Sequence, residues 1–194
     1  MKEIQTKNRE LTLLPIESSL LARYIIGVST ITLFEGDLAS VEAFISKRFR
    51  VFCQLNPWIL ASLIDDGKKT PLRLSYQEPF DEQDFAKSLE FNLNNLRIRS
   101  NMSYEEILVQ TAPYLVQSPK MIVNTDALVS SLIFEPLVDN PNAFVMIFSL
   151  SHSLVDGHSY YKILNMLFAN EEIVALDIKR KTHLYTKLRF EAVH

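Results

Sequence analysis

A single cysteine, four glycines and one tryptophan in 194 residues set limits before any motif is read. With Cys53 alone no disulfide framework can form, and its place inside an apolar helical stretch makes it a buried, inert thiol suited to a reducing compartment. With glycine this sparse and never clustered, neither a phosphate-cradling P-loop nor a G-x-G-x-x-G turn is present, which removes the usual ATP and NAD sites. Charge of one sign is lacking too. The 20 Lys and Arg are interspersed with 23 Asp and Glu for a net charge of −3, so no basic field recruits nucleic acid. Long apolar runs are also missing: the longest, Ala143 to Leu150, is far short of the roughly 20 residues that cross a bilayer, and Met1 to Glu10 is polar. These absences predict a soluble, cytoplasmic protein with no membrane span and no nucleic-acid partner. At 47% hydrophobic, the chain has enough apolar mass for one core, so residues 1–194 read as a single domain, with 171–194 a tail of different character.

What is present alternates between strand and helix patterns. Arg23 to Phe34 is rich in β-branched and aromatic residues and reads as a long buried strand. Leu38, Val41, Ile45, Phe49 and Phe52, joined by Phe44, then step as one helical face, capped by Asp37 or Ser40 and stopped at Asn56-Pro57. Leu72 to Tyr76 and Leu93 to Arg99 read as short strands, with an acidic loop and a short helix between them. Ser103-Tyr-Glu-Glu106 is a capping box that starts another helix ending near Pro113. Leu128 to Phe134 and Ala143 to Leu150 are strands joined by a Pro- and Asn-rich loop, and they read as hairpin neighbours. After Gly157, the spacing of Tyr160, Ile163, Leu164, Leu167 and Phe168 predicts a last helix. In the tail, Lys179-Arg-Lys181 reads as a solvated turn and Leu184 to Phe190 as an edge strand. The mixture predicts an α/β or α+β fold, a mixed β-sheet flanked by helices.

Chemistry concentrates in His152-Ser-Leu-Val-Asp156-Gly157, which follows the apolar strand and precedes the last helix. A neutral imidazole held rigidly at a strand end can take a proton from an attacking hydroxyl, amine or thiol near neutral pH. Asp156 can bend the loop through its own hydrogen bonds, and Gly157 permits a close backbone turn into the helix, so both are read as structural within the motif. No cofactor-binding residue and no metal ligand set is identified. A zinc reading with His152, Asp156 and His158 is the weaker alternative, because zinc sites want imidazoles converging on one face. Tyr160, Tyr161, Phe144 and Phe148 are core aromatics or the lining of an acyl tunnel.

The run Phe-Ser-Leu-Ser-His152-Ser-Leu-Val-Asp156-Gly157-His-Ser159 resembles the active-site segment of the chloramphenicol-acetyltransferase-like superfamily, which includes the condensation domains of nonribosomal peptide synthetases and plant and mycobacterial acyltransferases. Leu13-Leu-Pro-Ile-Glu-Ser-Ser, Phe34-Glu-Gly36-Asp-Leu38 and Asn56-Pro-Trp-Ile-Leu60 resemble its opening segments, so the likeness runs from Leu11 to Phe168. It implies His152 as catalytic base and Asp156 as the loop's orienting residue. The co-substrate it implies is an acyl-CoA or acyl-carrier thioester, with no cofactor bound, and a small-molecule hydroxyl or amine as acceptor. The chain departs from the pattern at Ser151, where condensation domains carry a second His. It also lacks an Arg beside Asn56 to pair with Asp156, leaving Arg23 or Arg73 as substitutes. Its length matches one half of the usual two-half fold, which implies a homo-oligomer, a second half-domain as partner, or a fragment of a larger enzyme. Three functions stay open: an acyltransferase, a non-catalytic assembly module, and a metal-dependent hydrolase.

Overall fold

The computed structural model describes residues 6–67, 71–93, 95–169 and 171–180; the edge strand expected at Leu184 to Phe190 lies outside them. In chain order the elements are β1 (Lys7–Thr12), α1 (Leu20–Tyr24), β2 (Val28–Glu35), α2 (Leu38–Leu55), a 3-10 turn (Pro57–Leu60), β3 (Ser62–Ile64) and β4 (Arg73–Glu78). There follow α3 (Glu82–Ser88), β5 (Leu89–Phe91), α4 (Tyr104–Thr111), a second 3-10 turn (Ala112–Tyr114), α5 (Pro119–Ile122), β6 (Ser130–Pro136), β7 (Ala143–Leu150) and α6 (Gly157–Phe168). Two sheets form, one four-stranded in the order β2-β7-β6-β5 and one three-stranded in the order β1-β4-β3. The first is mixed, since β5 runs parallel to β6 while the other pairs are antiparallel. The fold is α+β, with helices flanking the sheets.

β7 is the spine. All eight of its residues are buried, because it lies between β2 and β6 and apolar side chains leave both its faces. One face packs with α2 and α6 in the main core, where Phe148 and Tyr160 stack with centroids 5.3 Å apart. The other joins Leu96, Ile98, Ile107 and Ile133 in a smaller cluster. α2 begins where Asp37 accepts from the Ala39 and Ser40 amides, and it buries Ile45, Phe49, Phe52 and Cys53. Phe44 is the exception to the expected face and stands half-exposed. Cys53 is fully buried, and desolvation pushes its thiol pKa far up, which keeps it an inert core residue.

Two expected strands come out differently. Arg23 to Phe34 divides, because Ser19 accepts from the Ala22 amide and starts α1, leaving only Val28–Glu35 as strand. That strand lies at the sheet edge and is half-buried rather than buried. Among its described residues, Leu93 to Arg99 forms no strand. Leu96 and Ile98 are buried at alternate positions as a strand would have them, but side chains satisfy part of the backbone: Leu93 donates to Glu135 and Arg97 to Gln110. The strand that does pair with β6 is β5, a few residues earlier.

Candidate active site

The motif sits where β7 ends. The Ser151 amide donates to the Val129 carbonyl at 2.8 Å, and the Ser151 carbonyl accepts from Leu154 at 2.9 Å, closing a tight turn that carries His152 at its outer corner. Ser151, Ser153, Leu154 and Val155 are buried on either side, so the turn is anchored by its neighbours while His152 is exposed. The imidazole has no hydrogen-bond or ion-pair partner among the described residues. It borders a depression of about 270 Å³ whose wall is Ile16, Leu21, Ala22, Ile25 and Val155, with Glu17, Ser19 and Asp156 as the other polar residues.

Asp156 is the N-cap of α6, its carboxylate accepting from the Ser159 amide at 2.8 Å. That amide, with the Ser159 hydroxyl, holds the carboxyl below the usual carboxylate range. The expected Arg partners are engaged elsewhere: Arg23 pairs with Asp65 at 2.7 Å, and Arg73 with Glu10 at 2.9 Å and Asp66 at 3.8 Å. Asp156 thus shapes the loop through the helix terminus. Asn caps as well as Asp, whereas Ala costs about 1 kcal/mol. Asp156→Asn, which keeps the cap but not the charge, is therefore expected to melt between the parent and Asp156→Ala, the alanine protein lying a few degrees below the parent. Because the folded pKa is depressed, the charge-dependent share of this cap is present above the ordinary carboxylate pKa and lost as pH falls through the folded value. Asp156→Asn, followed by acid titration of stability, should lack that share.

Gly157 opens α6 without needing to be glycine. Its φ is not positive, and a Cβ placed on it meets nothing within 4 Å, which corrects the expected close backbone turn. His158 is exposed in the first turn of α6. No group of three or more His, Cys, Asp or Glu converges among the described residues, and Asp156 is turned to its own helix. The aromatics divide: Tyr160, Phe144 and Phe148 are buried in the core, while Tyr161 is exposed. The Tyr160 hydroxyl donates to the Phe148 carbonyl at 3.0 Å and shares a 2.8 Å hydrogen bond with Thr30 Oγ1; burial raises its pKa to about 12.

Two site features escape a sequence reading. Glu17 accepts from the Leu14 amide at 2.6 Å and from Arg180 at 3.1 Å, and the Ser153 hydroxyl donates to the Glu17 carbonyl at 3.3 Å. This joins the segment before α1 to the His152 loop. Of the solvated turn expected at Lys179-Arg-Lys181, Lys179 is exposed, Arg180 is only 15% exposed and departs from it, and Lys181 lies outside the described residues. Asn56, at the end of α2, is fully buried and donates to Phe52 and Val174 carbonyls while accepting from the Leu176 amide. It holds the 171–180 segment against α2, with Arg48 donating to the carbonyls of Met166, Leu167 and Glu171 beside it.

No protein-family model matches the chain, and no curated protein sequence does. Solved structures do. F. sporotrichioides TRI101, complexed with coenzyme A and T-2, aligns with a TM-score of 0.57 at 14% identity, over 82% of this chain and 40% of that one. The TRI3 trichothecene 15-O-acetyltransferase of Fusarium sporotrichioides aligns with a TM-score of 0.54 at 12% identity, over 84% of this chain and 34% of that one. Holo T3CT gives a TM-score of 0.58 at 12% identity, over 97% of this chain and 40% of that one. At such identities the likeness shows the fold alone. The chain spans less than half the length of these structures.

Proposed function

We propose that this chain supplies the general base of an acyl transferase that moves an acyl group from a coenzyme A or phosphopantetheine thioester to a hydroxyl or amine. The observation that carries it is the exposed, unpartnered His152 imidazole, held by a buried turn at the end of the central strand and bordering an apolar depression. A ring nitrogen takes the acceptor's proton as its oxygen or nitrogen attacks the thioester carbonyl carbon. The tetrahedral intermediate collapses, the C–S bond breaks, and the departing sulfur takes the proton back from the imidazolium. The shared fold with structures holding coenzyme A supports the donor assignment. Release of free thiol from acyl-CoA, measured against panels of alcohols and amines on whatever assembly the protein forms, tests it. Acyl transfer to at least one acceptor is expected; hydrolysis at background rate with every acceptor removes the reading.

A second reading has its own observation. α1 buries none of its five residues, and Leu20, Leu21, Tyr24, Ile25 and Ile26 are all exposed, with Met121 of the adjoining α5. Contiguous apolar surface of this kind marks interaction sites. The module would then pair with a second copy or a second half-domain through α1. Sedimentation at micromolar concentration is expected to show self-association that Leu20→Glu reverses. A monomer in both proteins takes away the assembly face.

A further inference from the structure

We propose that the ligand seated against His152 on the α1 side is the uncharged, apolar body of an alcohol acceptor bearing little other polarity. Naming it the acceptor rests on the acyl-transfer reading. Its class comes from the depression itself. Five of the nine lining residues, Ile16, Leu21, Ala22, Ile25 and Val155, are aliphatic, and no Lys or Arg is among the nine. The two carboxylates there are committed: Glu17 to the Leu14 amide and Arg180, Asp156 to the Ser159 amide. Ser19 Oγ is committed as well, accepting from the Ala22 amide to cap α1. A bound molecule therefore meets the partnerless His152 imidazole in a mostly aliphatic wall, whose carboxylates and hydroxyl already hold backbone amides. A phosphate or carboxylate would enter beside two carboxylates with no Lys or Arg in the lining, and a polyhydroxylated ligand would give up water against a mostly aliphatic wall. A hydrocarbon body with one hydroxyl fits on both counts, with the hydroxyl at the imidazole.

Binding can be read without turnover through the ring-proton resonances of His152, assigned by their loss in His152→Ala. Titration with 1-octanol is expected to shift them saturably. Octyl phosphate should need at least ten times the concentration. Leu21→Asp, which adds a charge to the wall at a residue 75% exposed, should weaken 1-octanol by a similar factor, while Val109→Asp, equally exposed on α4, should leave it unchanged. Octyl phosphate binding as well as 1-octanol, or Leu21→Asp binding like the parent, overturns the assignment. Displacement of 1-octanol by S-octanoyl-N-acetylcysteamine, an uncharged thioester, would give the site to the acyl chain and overturn the acceptor claim. Saturable 1-octanol binding in a protein that transfers acyl groups to nothing would keep the apolar class and remove only the acyl-transfer reading.

Discussion

Replacing His152 with alanine is expected to slow acyl transfer by roughly 10² to 10⁴, the range a positioned general base contributes, while the affinity for the acyl donor barely moves. The division between the two quantities is the informative part. A base acts on the proton lost as the acceptor attacks, so its removal raises the barrier without deleting contacts to the thioester. The fold should be indifferent, because the imidazole is exposed and gives up no hydrogen bond among the described residues. Melting curves of wild type and His152→Ala should therefore coincide. Free imidazole added to the variant should recover part of the rate, since the space it left opens on solvent and on the depression beside α1. Equal turnover by the two proteins would reduce the motif to architecture and bring the assembly reading forward.

How much of this was legible in the sequence depends on how local each cause is. α2, α4 and α6 were legible because cap and periodicity lie within a few residues: Asp37 caps Leu38–Leu55, and Ser103 and Glu106 satisfy each other's amides in the expected capping box. The β6 and β7 pair was legible for the same reason, two apolar runs across a short polar loop. α1 was not. Apart from Arg23 its residues are apolar or aromatic, which resembles a buried strand, but none of them is buried. Nor was the frame of the site. The Glu17 and Arg180 ion pair spans 163 residues, and the capture of Arg23 by Asp65 depends on where α1 meets the loop after β3. His152 could be singled out from spacing alone; the frame around it could not, because the bonds that tie Glu17 to Ser153 and Arg180 belong to tertiary structure.

Glycine shows the same division, and it yields the second large effect. Gly157 stands out in the sequence as part of the motif, whereas Gly27 draws no attention there. In the structure their demands are reversed. A Cβ on Gly27 would lie 2.5 Å from the Leu150 carbonyl oxygen, 3.1 Å from its carbon and 3.2 Å from the Val116 carbonyl oxygen. All three are backbone atoms and cannot swing away. The Gly27 amide meanwhile donates to Val116, and Leu150 is the last residue of β7, paired with Val28 on one side and Ser130 on the other. Gly27→Ala must therefore push apart the strand end two residues before His152. Overpacking of this kind costs about 1–3 kcal/mol and sometimes more, and at this chain size each kcal/mol lowers Tm by roughly 2–4 °C. Transfer activity should fall with it, because the turn carrying His152 hangs from that strand end. Gly157→Ala faces open space at a φ that alanine adopts, so it should be neutral or should stabilise the fold by about 0.4–1 kcal/mol through a less flexible unfolded chain. Thermal melts of the two variants side by side decide the matter. A Gly27→Ala protein melting with the parent would mean that the segment before β2 can yield, and the close packing would lose its part in holding His152. A Gly157→Ala protein that keeps its stability but loses turnover would instead place substrate in the space above α6.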